Sequence, residues 1–174
     1  RQFLEKNKFR EAPYPTATDL VVAIKNNTPD SLKYIIKDMF ETITLYDNTS
    51  IGFTSKKLDN GKYQVVFSFN VQKYRTDSKG NPIYKGNRGE TLKYIPKNVT
   101  KPLVSLPLVD YIDVGVFGQS NDGKGKITLY LKKHKITRIH NKITLLVDEK
   151  PTEVGIDPYY KLIDKNTKDN RIKE

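Results

Sequence analysis

The sequence predicts a mainly β protein, an antiparallel β-sandwich preceded by a short helical segment. Three observations predict it. Near Ile43 the spacing of apolar residues changes from the ~3.6 period of a helix to the period of 2 of a strand. Tyr63, Val65, Phe67, Phe69 and Val71 then alternate with Gln64, Ser68, Asn70 and Gln72, a pattern with one core face and one wet face. Further short apolar rows follow, punctuated by Gly, Asn and Asp turns.

The helical part comes first. Residues 1–12 read as the tail of a helix with Phe3, Leu4 and Phe9 available for packing, and Pro13 and Pro15 then force an extended connector. Thr16 is placed to cap a second helix, with Asp19 completing a capping-box arrangement. That helix carries Leu20, Val21 and Ile24 and is expected to stop near Asn26-Asn27. A third is expected to start with Thr28 as N-cap, Pro29 in the first helical position and Asp30 at the positive end. Leu32, Ile35, Ile36, Met39, Phe40 and Ile43 give it one apolar stripe, which needs a partner surface because so short a segment supplies little core.

In the β part, Ile51 and Phe53 are expected on one face of a first strand ending at Leu58. Asp59-Asn60-Gly61 then supplies the positive φ angles of a tight hairpin. Ser78 to Pro82 is a turn, and Leu92, Tyr94 and Ile95 mark a short strand. Inward rows are expected at Ile112/Val114/Val116, Ile127/Leu129/Leu131 and Ile143/Leu145/Val147. Six or so short strands so spaced read as a sandwich of the immunoglobulin/fibronectin kind, with a small barrel as the alternative. In the tail, Gly155 to Pro158 form a turn, Tyr159 to Ile163 a short strand or helix, and the last polar residues are expected to fray.

Known catalytic patterns are missing. The chain has no cysteine, which removes disulfides, thiolate nucleophiles and Cys-based metal sites. Its two histidines, His134 and His140, lie among Lys132, Lys133, Lys135, Arg138 and Lys142, which repel a divalent cation; they read as exposed residues flanking a turn. No G-x-S-x-G elbow exists, and Asp122 to Lys126, though Gly-rich, leads into a strand and reads as a hairpin loop. Asp110 and Asp113 read as ordinary surface carboxylates. Catalytic, cofactor-binding and metal residues are therefore all expected to be none.

The formal charge of +11 is unevenly placed, with +1 in residues 1–42 and +10 in residues 43–174. Its plain reading is a solvated, lysine-rich surface. The alternative is a basic barrel in which Tyr74, Tyr84, Tyr94 and Tyr130 stack single-stranded bases. No apolar run approaches the ~18 residues of a membrane span, and no signal-peptide pattern is present, so a soluble module is expected. The chain begins at Arg1 and its only methionine is Met39, so its start reads as a boundary inside a longer protein.

Three stretches carry a resemblance. They are Thr28 to Leu32 running into Asp38 to Tyr46, Tyr111 to Phe117, and Gly155 to Asp164 with Asp169-Asn170 after it; Leu129 to His134 fits the same pattern. In order and spacing they resemble the C-terminal end of bacterial proteins, common in Bacteroidetes, that join an ABC-type permease region to a membrane-alanyl-aminopeptidase-like zinc metallopeptidase. The resemblance implies that residues 1–42 are the tail of an upstream catalytic or helical region. Residues 43–174 are then the β-sandwich that follows it, with its own C-terminal tail. It also implies a parent at the bacterial inner membrane, zinc held upstream, and the upstream catalytic domain as partner; the residues themselves give no expectation of nucleic acid or of a membrane span in this part. No catalytic residue carries over, because the zinc-site motif is not in this chain.

Gly155, Asp157, Pro158, Asp164 and Asn170 form the candidate structural or docking motif. Pro158 fixes the backbone, and the Asp157 and Asp164 carboxylates can accept backbone N–H bonds that pin the tail to the sandwich. The other reading has this loop touch the catalytic domain or a second subunit. A freestanding ligand-binding or adhesion-like sandwich of a surface or periplasmic protein is the rival to the peptidase module.

Overall fold

The structure, a computed structural model, describes residues 1–85, 91–92, 106–120, 123 and 125–174. The chain divides into two compact units, Arg1–Thr44 and Leu45–Glu174.

The first unit holds helices α1 (Gln2–Asn7) and α2 (Ala17–Asn26) and a broken third helical stretch. At α2 the capping box forms: the Asp19 N–H donates to Thr16 Oγ1 at 3.2 Å, and the Thr16 N–H donates to Asp19 Oδ2 at 2.7 Å. The third stretch corrects the single helix expected from Thr28 onward. It splits into a 3₁₀ turn (Asp30–Leu32), one α turn, α3 (Lys33–Ile36), and a π turn (Lys37–Glu41). Thr28 is no N-cap, because its hydroxyl donates backward to Ile24 O at 2.7 Å and closes the end of α2. The tight and wide turns break the 3.6 period of the stripe, and Leu32, Met39, Phe40 and Ile43 are exposed.

The second unit is mainly β. Its strands are β1 (Thr44–Lys57), β2 (Tyr63–Arg75), β3 (Tyr84–Lys85), β4 (Thr91–Leu92), β5 (Asp110–Gln119), β6 (Lys126–Ile136), β7 (His140–Val147), β8 (Pro151–Ile156) and β9 (Arg171–Lys173). They form a three-stranded sheet, β1-β2-β7, a four-stranded sheet, β6-β5-β8-β9, and the ribbon β3-β4. All strand pairs with a recorded register are antiparallel. Of the strand expected around Leu92, Tyr94 and Ile95, only Leu92 falls within the described residues.

The alternation in β2 does what its period dictates. Val65, Phe67, Phe69 and Val71 are fully buried, and Phe67 and Phe69 pack with ring centroids 4.9 Å apart. They share a core with Ile112, Val114 and Val116 of β5, Leu145 and Val147 of β7, and Val154 and Ile156 of β8. Each such side chain contributes roughly 1.5–3 kcal/mol by leaving water.

Two expected rows are corrected. In β1 the buried positions are Thr44, Tyr46, Asn48 and Ser50, while Ile51 is exposed and Phe53 only partly covered. The inward side thus switches from even to odd positions after Ser50. In β6, Val116 pairs with Tyr130 but Phe117 pairs with Thr128, so Leu129 is an extra residue. This bulge flips the side-chain phase, which turns Leu131 outward and Ile136 inward.

The tail does not fray. β8 runs between β5 and β9, and Asn170 is fully buried. Tyr159 to Ile163 form neither strand nor helix but a turn, after which Asp164 bridges Tyr46 in parallel fashion.

Candidate docking site

The glycines of β5 and β8 make a seat. Gly115 and Gly155 are register partners, and Pro158 lies over both. A Cβ on Gly115 would stand 3.0 Å from Pro158 Cγ, and one on Gly155 would stand 3.1 Å from Pro158 Cβ. Only hydrogen at both positions leaves room for the ring to close on the sheet.

Asp157 sets the turn that brings Pro158 there. It is buried, with φ at +43°, a conformation that Asp tolerates better than most residues. Its own N–H donates to Asp113 O at 2.7 Å, which ties the turn to β5. Its carboxylate accepts from the Lys161 N–H at 3.0 Å and the Leu162 N–H at 2.9 Å. Tyr160 also has positive φ, at +54°, so two non-glycine residues within four positions hold left-handed backbone.

The chain then reaches β1. The Tyr46 N–H donates to Ile163 O and the Lys165 N–H donates to Tyr46 O, both at 2.9 Å. Asp164 accepts from the Asn48 N–H at 3.0 Å and the Asn166 N–H at 2.9 Å. Asn170, its amide nitrogen turned to the two oxygens, donates to Asn48 O at 3.0 Å and Asp164 Oδ2 at 3.3 Å. Asn170 O accepts from the Ile156 N–H and the Ser50 hydroxyl. The structure thus gathers Gly155, Asp157, Pro158, Asp164 and Asn170 into one clamp. Asn48 and Ser50, which sequence reasoning missed, are its anchor on β1.

Buried charge surrounds the clamp, and this corrects the surface reading of Asp110 and Asp113. Asp113 is buried and paired with Lys161 at 2.6 Å and Lys133 at 3.4 Å. Burial pushes its carboxyl up, but the Lys161 hydrogen bond and the Lys133 charge outweigh that and hold it below the ordinary range. Glu153 behaves alike: burial is outweighed by Lys126 and Arg171, both ion-paired to it. The Arg171 guanidinium also lies 4.3 Å from the Phe117 ring centroid. Asp110 pairs with the buried Lys73 at 2.8 Å and accepts from the Tyr46 hydroxyl at 3.2 Å. Asp164 goes the other way, since burial pushes its carboxyl up against the hydrogen bonds from Asn166 and Asn48.

These directions fix an expected pH response. Asp113 and Glu153, depressed in the fold, contribute stability above their unfolded pKa values, and that stability is lost as pH falls through the folded ones. Asp164, raised, contributes the opposite way, so its share is lost as pH rises. Thermal melts from neutral pH down to about pH 3 are expected to show a falling melting temperature below about pH 4.5. The Asp113→Asn/Glu153→Gln double variant should melt lower at neutral pH and lose less on acidification. An identical acid slope in that variant would remove these two groups from the account.

The remaining candidates are separated from one another. The Tyr130 hydroxyl and His134 Nε2 are 2.8 Å apart, and burial lowers the His134 pKa with help from Lys132. His140 faces Asn70 instead, at 2.9 Å. Tyr74 is buried and cannot stack a base, and Tyr94 lies outside the described residues. Gly123, at φ +69°, sits in the loop of the β5–β6 hairpin. No helix among the described residues is long and apolar enough to cross a membrane. Comparisons with protein-family models, curated proteins and solved structures return no match.

Proposed function

We propose that this chain is the non-catalytic C-terminal β-sandwich module of a bacterial zinc aminopeptidase-like protein, and that the clamp presents a docking face to the catalytic domain. One observation carries the reading. The clamp carboxylates are used on the chain's own backbone N–H groups, while Tyr159, Tyr160 and Ile163 remain 48, 52 and 70% exposed on that braced backbone. Groups so consumed suit positioning rather than chemistry, and rigid exposed aromatic and aliphatic side chains suit an interface core. Two of the stretches that carry the resemblance meet at this clamp. Tyr111 to Phe117 belong to β5, and Gly155 to Asp164 with Asn170 fold onto β5, β8 and β1.

Two arms test this. The purified chain, supplied with zinc and an aminoacyl p-nitroanilide, is expected to release no product; turnover by this chain overturns the proposal. In the longer protein, Tyr160→Asn/Ile163→Ser is expected to lower aminopeptidase activity about tenfold, since losing two interface anchors costs on the order of 1.4 kcal/mol or more. The isolated chain carrying the same changes should keep its melting temperature. Unchanged activity in the longer protein would rule out docking through this face.

A further inference from the structure

The charge excess has an address. From Lys126 to Val147, spanning β6, its turn and β7, the sequence holds six Lys or Arg and no Asp or Glu. Among the described residues, β6 is the edge of the four-stranded sheet and β7 the edge of the three-stranded one, joined by the turn at 137–139. The two strands therefore belong to one flank of the sandwich. Lys126 and Lys133 pair with Glu153 and Asp113. Among the described residues, Lys132, Lys135, Arg138 and Lys142 are exposed and have no carboxylate partner. Leu131 (38% exposed) on β6 and Ile139 (37%) in the turn lie on the same segment, while Leu146 (57%) faces out of the other sheet.

We propose that this flank is a docking surface for a membrane bearing anionic lipid headgroups. Lysines suit such a surface as point charges, each attracted to the diffuse field of the headgroups rather than to a fixed fork of acceptors. The interspersed aliphatic residues suit the headgroup boundary, where an apolar side chain gains by leaving water. Nucleic acid fits less well. The flank carries a single arginine, and its one tyrosine, Tyr130, is turned to His134. The bases of a single strand would find no stacking platform there. β6 and β7 also pair with β5 and β2, so they form no two-stranded ribbon to enter a major groove.

Edge lysines also keep sheets from pairing edge to edge, so the test must separate the two roles. The full chain is sedimented with phosphatidylcholine vesicles, with and without about one-third phosphatidylglycerol, at low and high salt. Binding only to the anionic vesicles, reversed by salt, is expected. Lys132→Gln/Lys135→Gln/Arg138→Gln should weaken it about fivefold per charge, or roughly a hundredfold in all. Lys56→Gln/Lys57→Gln/Lys168→Gln removes the same charge elsewhere and should weaken it far less. The chain has no tryptophan, so Ile139→Trp adds a lone reporter whose emission should shift to the blue on anionic vesicles. The proposal is overturned by equal loss in both triple variants or by no binding to anionic vesicles. It is also overturned if the flank variant self-associates with vesicle binding intact, or if an oligonucleotide binds in preference to the vesicles.

Discussion

Asp157→Ala is expected to destabilise the second unit by at least about 3 kcal/mol, through three losses that act in the same direction. The Lys161 and Leu162 N–H groups lose a charged acceptor, and hydrogen bonds to charged groups contribute roughly 1.5–3 kcal/mol each. Alanine also tolerates the φ of +43° less well than aspartate does. Finally, the turn that seats Pro158 is released. For a unit of this size the melting temperature should fall by about 10 °C or more. Asp157→Asn keeps one acceptor and the left-handed preference and should fall between the two. A melting temperature within about 2 °C of the parent for Asp157→Ala would mean that the carboxylate does not hold the turn.

Gly155→Val acts on the other half of the clamp and by a different force. A Cβ there stands 2.9 Å from Asn170 O, a backbone atom, and 3.0 Å from Arg171 Cγ. Neither can yield without moving β9 or breaking the hydrogen bonds that Asn170 O accepts from Ile156 and Ser50. Overpacking costs typically 1–3 kcal/mol and more where backbone must move, so alanine is expected to cost about 2 kcal/mol and valine about 4 kcal/mol. The damage should be local first, with β9 lost and the guanidinium of Arg171 leaving the Phe117 ring. Gly52→Ala is the contrasting case, because nothing lies within 4 Å of the added methyl. Equal stability of the Gly52 and Gly155 variants would contradict the seat described for Pro158.

What could be read from sequence follows a physical division. β2 was legible because one face is apolar for nine residues and the other is polar apart from Val66, and a strand satisfies that period. The turn chemistry at Asp157-Pro158 was legible because it is local, a carboxylate accepting N–H groups four and five residues on. Its counterpart on β1 was not. Nothing local marks Asn48 and Ser50, whose partners Asp164 and Asn170 lie 116 and 120 residues away. The outward turn of Leu131 was hidden for a related reason, since a bulge shifts the phase without marking the sequence. β8 escaped because its glycine and buried glutamate disguise a strand covered on both faces. Asp113 was misread because burial of a carboxylate depends on cations brought from elsewhere, Lys133 from β6 and Lys161 from the turn after β8.

Native-state amide exchange addresses the clamp most directly. If residues after 156 are integral to the sandwich, the N–H groups of Asn48, Ile156, Asp157 and Leu162 open only with the whole unit. They should then exchange as slowly as those of Phe67 and Val114 in the core strands. Fast exchange at Asp157 and Leu162, with Phe67 and Val114 still protected, would show a tail merely resting on a sandwich that stands without it.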